Sequence, residues 1–421
     1  MKKETLNTPD YARPCYDELE NWARLRVQSY LQDLLEEEVT DLLGRGKSAR
    51  RPETSIDVPA GYRNGHGRPR KFGMTNGTIE VRRPRVRDLE GRFESKVLPL
   101  FKRQSKQVRD VLPELYLHGL SSGDFELAMR GLLGEAAPLS QASLARLKAK
   151  WQIEYDEWKK RDLSGLEVVY WWADGLYVKA GIEDRKSALL VIVAALSNGD
   201  KIVLAVESGE RESKESWLKI LRDLKVRGLK FPRLSVADGH LGLWAALGEI
   251  HPQGDEQRCW NHKIVNVLND LPKKEQAEAA ELLKAMPYAE TKKECEKRRD
   301  EFAMRYKKTQ SKAVETLFRD WERMVTFYSY PKEHWLHLRT TNIVESPFNV
   351  VRLRTNASRR YKKADNAKAM IWKLLTVAEK AWRKLNAPEL MPLVAAGTEF
   401  VDGVRKENKI SLTNNQKGSA A

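Results

Sequence analysis

The segment from residue 166 to residue 207 constrains the fold most, because apolar, β-branched and aromatic residues dominate it. It carries four apolar runs separated by turn signals, which read LEVVYWW, LYVKAGI, ALLVIVAAL and KIVLAVE. Further along, the helix-like segments SWLKILRDLKVRG and LGLWAALGEI alternate with the strand-like segments LSVADGH and EQRCWNH. A chain of 421 residues is too long for one ordinary domain. Together these features predict a multidomain α/β protein.

Residues 263–335 have a different character. They are highly charged, they follow helical spacing, and they carry no strand pattern. We therefore expect a helical domain inserted after the sheet segment 160–262 and before two further helices in 336–390. Residues 391–421 are expected to form a polar C-terminal tail.

The net charge of +16 is concentrated in two blocks of the chain. Residues 61–110 hold fourteen Lys and Arg against five Asp and Glu, and residues 339–390 hold twelve against four. Focused basic blocks are typical of proteins that bind a polyanion. A membrane surface would favour a basic amphipathic helix, whereas the first block is too rich in Gly and Pro for one. We expect this polyanion to be DNA. The alternative is that the basic residues are solvated surface charge and bind no partner.

The N-terminal part divides into a helical and a basic region. Within residues 1–60, helical spacing predicts a packing or dimerisation helix over 15–43 that stops at Gly44. Within residues 61–155, the segment TIEVRRPRVRD alternates as a strand does, and Pro84 restricts it to an edge or an extended arm. Two helix starts, at Ser121–Ser122 and at Ser140, then flank a turn near 134–138. This resembles a helix-turn-helix and predicts a DNA-binding region.

The composition also bears on location. No run of eighteen apolar residues occurs, and no apolar stretch follows the N-terminal lysines. Three cysteines in so long a chain indicate a reducing compartment. We expect a cytoplasmic protein, associated with the nucleoid if the source is a prokaryote, with no membrane partner and no small-molecule substrate.

Three carboxylates stand out by position. Asp174 and Asp238 each end an apolar run, and Glu345 lies at a helix start that Pro347 restricts. Each has a structural alternative, because Asp-Gly is a common hairpin turn and Asn342-x-x-Glu345 has the spacing of a capping box. Jointly, an acid on the first strand, one on the fourth and one on a later helix favour a site. Such oxygens are the ligands that Mg²⁺ or Mn²⁺ prefers, and a pair of these ions serves phosphoryl transfer.

The motifs GTIEVRRPRVRD, ADGLYVK, VADGH, RCWNHK and TTNIVES, together with the helical LYLHGLSSGDFELAMRGLLG, carry a family resemblance over residues 60–385. The chain resembles the DDE transposases, and more narrowly the Mutator-type insertion-sequence transposases of bacteria and archaea. The resemblance implies an RNase H-like mixed-sheet core interrupted by an all-helical insertion. It also implies that Asp174, Asp238 and Glu345 bind two Mg²⁺ or Mn²⁺ ions.

The resemblance further implies a reaction and its partners. A transposase of this kind hydrolyses DNA at the element's terminal inverted repeats and releases a 3′-hydroxyl. That hydroxyl then attacks a phosphodiester of target DNA, and the enzyme works as a homodimer or larger assembly. A nuclease or junction resolvase that never joins ends remains an alternative. A domesticated DNA-binding protein without activity and a metal-free recombinase are further alternatives.

Two sets of residues complete the predicted site. Cys259 and His262 match the family's Cys-x-x-His signature, either as half of a zinc site or, as we favour, in a structural role near the active site. The residues expected to contact DNA lie in the two basic blocks. They are Arg63, Arg68, Arg70, Lys71, Arg82, Arg83, Arg85, Arg87, Arg352, Arg354, Arg359 and Arg360.

Overall fold

A computed structural model gives the fold. It describes residues 14–50, 61–117, 127, 130, 131, 133, 141–179, 186–209, 211–358 and 364–406, with some side chains near the gaps left out. The chain divides into two compact units, Met1–Leu147 and Lys148–Ala421.

The N-terminal unit combines a long helix with two small hairpin-like sheets. Helix α1 ends as predicted at Gly44, which adopts φ 61° in the left-handed region that favours glycine. Its Leu35 packs with Ile79, Val81 and Leu98 in a small apolar core. The elements of this unit are α1 (Leu19–Leu43), β1 (Tyr62–His66), β2 (Arg70–Met74), β3 (Gly77–Val81), β4 (Pro84–Arg87) and α2 (Lys106–Leu117).

Pro84 separates two strands where one was predicted. Strand β3 pairs with β2, whereas β4, which begins at Pro84, pairs with β1. Each pair is two-stranded, so Pro84 removes no hydrogen bond from a central strand. Helix α3 (Gln141–Lys159) follows. The predicted helix-turn-helix turn near 134–138, and most of the helix before it, lie outside the described residues.

A five-stranded mixed sheet forms the centre of the second unit, in the order β7-β6-β5-β8-β9. Strands β5, β6 and β7 are antiparallel neighbours, while β8 and β9 run parallel to β5. The strands are β5 (Val168–Lys179), β6 (Lys186–Leu196), β7 (Lys201–Gly209), β8 (Leu234–Ala237) and β9 (Asp255–Arg258).

The first apolar run and the start of the second form a single strand. β5 pairs with β6 without interruption from Tyr170 opposite Ala195 to Lys179 opposite Lys186, so Asp238 follows the fourth strand of the sheet, as predicted. The Asp-Gly pair in the middle of β5 does not turn, because hydrogen bonds to β6 hold both sides extended. Asp174 therefore lies inside a strand rather than at its end.

Helices α4 (Lys214–Val226) and α5 (Leu241–Ile250) pack against the sheet. Trp171, Trp217 and Trp244 are buried in this core, and Trp172 and Trp260 are buried as well, as expected for core tryptophans. Strand β6 is apolar from Ala188 onward, and its residues up to Ala195 are fully buried, as expected inside a sheet with both faces covered.

Between β9 and residue 341 the described chain forms helices and 3₁₀ turns but no strand, as the sequence predicts. The helices are α6 (Trp260–Asn269), α7 (Lys273–Ala285), α8 (Lys292–Tyr306), α9 (Ser311–Phe318), α10 (Trp321–Val325) and α11 (Trp335–Leu338). The limits of this segment as an inserted domain remain a prediction.

The C-terminal part is folded further than predicted. After α12 (Asn342–Ser358) and α13 (Ala364–Glu379), helix α14 (Met391–Ala395) and a hairpin of β10 (Phe400–Val401) with β11 (Val404–Arg405) follow. The expected tail therefore contains structure up to residue 406, because Met391, Val394 and Phe400 are buried apolar anchors. None of the helices described is both long enough and apolar enough to cross a bilayer.

Substitution of a fully buried residue in β6 tests this account of the core. Ile192 has no exposed surface, so Ile192→Ala should lower the free energy of unfolding by about 2–5 kcal/mol. Val226→Ala is the control, because Val226 is 86% exposed and its loss should matter by less than about 0.5 kcal/mol. Urea denaturation measures both, and equal effects would contradict the assigned core.

Candidate active site

The register of two parallel strands brings the two predicted aspartates together. Ala173 of β5 pairs with Ala237 of β8, so the next residues, Asp174 and Asp238, stand at the same level. Adjacent strands lie about 4.8 Å apart, and residues at the same level of a parallel pair point to the same face. Two acids far apart in sequence are thus neighbours.

Asp174 is half-buried, and its Oδ1 accepts a hydrogen bond of 2.8 Å from the Gly175 N–H. Burial raises the pKa of the Asp174 carboxyl to about 7, although the Gly175 bond acts in the opposite direction. The negative charges of Asp238 and Glu345 raise this pKa further, while His262 lowers it. Asp174 therefore interacts electrostatically with both other predicted acids.

Asp238 lies in the connection between β8 and α5. Its Oδ1 accepts a 2.8 Å hydrogen bond from the His240 N–H, and the His240 side chain accepts one from Gly242 at the start of α5. Gly239 between them has φ +102° and packs against Arg258. This Asp-Gly pair is therefore not a hairpin turn, because it connects a strand to a helix, and its hydrogen bond to His240 orients Asp238.

Glu345 occupies the first turn of α12, as predicted. The capping-box alternative was wrong, because Asn342 is already helical and its Oδ1 accepts from Asn261 at 3.2 Å. The Glu345 carboxylate instead accepts a hydrogen bond from the Thr341 hydroxyl. Pro347 lies inside the helix, two residues further on.

Cys259 and His262 surround Glu345. Cys259 is buried just before α6, and its sulfur lies 3.2 Å from Thr341 Oγ1 and 3.4 Å from the Thr341 nitrogen. His262 Nδ1 lies 3.8 Å from Glu345 Oε1. Side-chain atoms of Cys259, His262 and Glu345 all fall within 4.8 Å of one another, so these three could also hold a metal ion.

His262 is the cationic member of the site. Its contact with the Cys259 side chain raises the pKa of the imidazole to about 9 against the effect of burial, and the charges of Glu345 and Asp238 add to this. An imidazolium at neutral pH partly balances the acids beside it.

The predicted DNA-contact residues of the first block separate into distinct environments. Arg63 bonds Thr40 at 2.7 Å and pairs with Glu36, so it is tied to α1. A cleft of about 540 Å³ has a wall rich in arginine. Its arginines are Arg68, Arg70, Arg83, Arg85 and Arg92. Lys71, Arg82 and Arg87 are exposed elsewhere on the unit.

The arginines of this cleft crowd one another. Burial lowers the pKa of Arg70, with Arg83 contributing, and burial likewise lowers that of Arg83, with Arg92 contributing. Like charges at this density favour an anion in the cleft.

In the second basic block one prediction was wrong. Arg352 is exposed, but Arg354 is 1% exposed and cannot face DNA in this structure. Arg354 falls on the buried stripe of α12 that includes Phe348 and Val351. Arg359 and Arg360 lie outside the described residues.

A fourth carboxylate, Glu212, was missed by the sequence analysis. It lies just before α4, is 6% exposed, and is close enough to Asp238 that the Asp238 charge adds to burial in raising the Glu212 pKa. Nothing in the local sequence distinguishes it, since an acid beside a helix start is common.

Comparison with known proteins identifies the family. The family model described as "Transposase, Mutator family" matches residues 3–385. The chain belongs to the Mutator family of transposases and is accordingly a protein of DNA transposition.

Individual relatives agree with this. The chain is 42% identical over 304 residues to the transposase for insertion sequence element IS6120 of Mycolicibacterium smegmatis, covering 72% of this chain and 94% of the relative. It is 41% identical over 279 residues to the transposase for IST2 of Acidithiobacillus ferrooxidans, covering 66% and 94%. The Drosophila P element transposase strand transfer complex is similar at a TM-score of 0.31 with 12% identity, covering 72% of this chain and 84% of that one. That likeness is too low to define the fold.

The raised pKa of Asp174 gives a prediction for the protein in EDTA. An unfolded Asp titrates near pH 3.9, whereas the folded value is about 7. The folded state thus binds the extra proton, and stability falls as pH rises from about 4 to about 7. Asp174→Asn removes this loss, so its Tm relative to wild type should rise by roughly 5 °C between those pH values. A Tm difference independent of pH would contradict the assigned environment.

Proposed function

We propose that this protein is a DDE transposase that cleaves DNA at transposon ends and joins them to target DNA through Asp174, Asp238 and Glu345. The observation that carries the proposal is the β5–β8 register, which sets Asp174 beside Asp238. Glu345 acts electrostatically on Asp174 from α12. An RNase H-like assignment of the core is part of the proposal, and the mixed five-stranded sheet supports it.

The residues present fit a divalent cation. Their donors are carboxylate oxygens, which suit Mg²⁺ or Mn²⁺. Burial, and then the charges of Asp238 and Glu345, raise the pKa of Asp174, and a bound cation would favour the charged carboxylate. We propose that Asp174, Asp238 and Glu345 hold two such ions. Held by these residues, such ions would supply positive charge that activates an attacking oxygen and stabilises a leaving oxygen in phosphoryl transfer.

The chain's own residues prepare the site for this chemistry. The Gly175 N–H fixes one oxygen of Asp174, and the His240 N–H fixes one oxygen of Asp238. Asp174 must be deprotonated to bind a cation, which neutral or higher pH favours. The same site serves cleavage and joining, because only the nucleophile changes from water to a DNA 3′-hydroxyl.

Cys259, Thr341 and His262 are proposed to position Glu345. The Thr341 hydroxyl holds the Glu345 carboxylate and also contacts Cys259. The His262 imidazolium stands beside the same carboxylate. A metal ion on Cys259, His262 and Glu345 is the competing interpretation. The hydrogen bonding of the Cys259 sulfur favours the positioning role.

The arginine-lined cleft of the N-terminal unit is proposed to bind the DNA backbone at the element's ends. Guanidinium groups suit phosphate oxygens, and their number suits several phosphates. Two ends must be held together for transposition, so we further propose a homodimer or a larger assembly. Residues 1–60, 61–155, 160–262, 263–335 and 336–390 remain our proposed domain limits.

Amide substitutions test the catalytic proposal. Asp174→Asn, Asp238→Asn and Glu345→Gln should each abolish cleavage and joining of end DNA while leaving its binding largely intact. Each keeps the size of the side chain but loses the charge that holds a cation. Pairs of substitutions should cost no more than single ones, since the residues act as one unit.

Glu167→Gln is the control, because Glu167 is exposed and lies outside the acidic group. If Glu345→Gln kept cleavage near the wild-type rate, the third ligand would have to be another residue. Cleavage by the wild type without any strand transfer would identify a nuclease instead.

Salt dependence tests the role of the cleft. Arg68→Ala and Arg85→Ala should each weaken binding of end DNA and reduce the slope of log affinity against log salt by about 1 for each phosphate that the arginine neutralises. Arg222→Ala serves as the control of equal charge change, because Arg222 pairs with Glu249 on α5 of the other unit. If all three substitutions weakened DNA binding equally, the loss would reflect net charge alone, and the proposed role of the cleft would be contradicted.

A further inference from the structure

We infer that Glu212 is a fourth acidic residue of the active site and takes part in binding the divalent cation beside Asp238. The inference rests on the proposed function, because it concerns the same metal site.

The Glu212 carboxylate lies directly over the backbone of Gly175. A β-carbon placed on Gly175 would overlap both the carboxylate carbon and an oxygen of Glu212. Glycine beside Asp174 therefore makes room for this carboxylate. Gly175 has no positive φ, so the close approach, rather than backbone strain, explains the glycine.

The backbone of Glu212 is held from a second side. A β-carbon placed on Gly242, in the first turn of α5, would collide with the Glu212 carbonyl and with the chain at Ser213. Glu212 is thus fixed between the residue after Asp174 and the helix that follows Asp238. Glu212 therefore lies close to the connection that carries Asp238.

The Glu212 carboxyl is buried, and within the described part of the chain it forms no ion pair. The residue is only 6% exposed, and its hydrogen-bond partner is the Tyr177 hydroxyl. Among the described residues no Lys or Arg forms an ion pair with it. Buried carboxylates are almost always paired. Asp238 adds a repelling charge nearby, and His240 and His262 act in the opposite direction. A bound cation would balance the charges of Glu212 and Asp238 together.

Manganese binding by the full-length protein without DNA tests this inference, with free Mn²⁺ counted by electron paramagnetic resonance. Glu212→Gln keeps the shape of the side chain and its ability to bond Tyr177. It should lower Mn²⁺ affinity by about 10–100-fold and leave the Tm in EDTA unchanged or raised. Raising the Mn²⁺ concentration should restore DNA cleavage by this variant.

Two variants separate a metal role from a structural one. Glu215→Gln, three residues along and exposed, should bind Mn²⁺ as the wild type does. Tyr177→Phe keeps the Glu212 charge and should change Mn²⁺ affinity by only a few-fold. The inference is overturned if Glu212→Gln and Tyr177→Phe lower the metal-free Tm equally and neither changes Mn²⁺ affinity.

Mn²⁺ binding by Asp238→Asn, measured in parallel, separates the role of Glu212 from the existence of the metal site. If Asp238→Asn loses Mn²⁺ binding and Glu212→Gln does not, only the role of Glu212 is wrong. If neither variant loses it, the proposed metal site itself is wrong.

Discussion

The parallel pairing of β5 with β8 is the interaction on which the site depends. The two strands come from distant parts of the chain, and backbone hydrogen bonds fix their register. A slip of one residue would turn one aspartate to the opposite face of the sheet. The apolar core under the sheet, with Trp171 and Trp217, opposes such a slip because it would expose the buried face. The packing that stabilises the core therefore also fixes the positions of the two aspartates.

That geometry concentrates negative charge in a partly buried place. Burial raises the pKa of Asp174, and burial followed by the Asp238 charge raises that of Glu212. Among the residues described, His262 lies beside these acids and has a raised pKa, so its imidazolium supplies a positive charge. A group of acids arranged in this way is poorly stable alone and is suited to cations. The burial and repulsion of these carboxylates destabilise the metal-free protein, and the same two effects favour the binding of a cation.

The strands and helices could be predicted from the sequence. Features that depend on contacts between distant parts of the chain could not. Apolar runs identified the strands, but the pairing partner that keeps β5 extended through Asp174 is not visible in a local pattern. The spacing of Phe348, Val351 and Arg354 along α12 did contain a sign that Arg354 is buried, although its charge favoured the opposite interpretation. Glu212 could not be found, because only the fold brings it to Gly175.

Location of the bound metal tests the central claim most directly. Crystals of the protein soaked in Mn²⁺ would be measured near the manganese absorption edge, where anomalous scattering identifies the ion. The account predicts a peak between the carboxylates of Asp174 and Asp238, within coordination distance of both. A peak held only by Cys259 and His262, with none near Asp174, would contradict it.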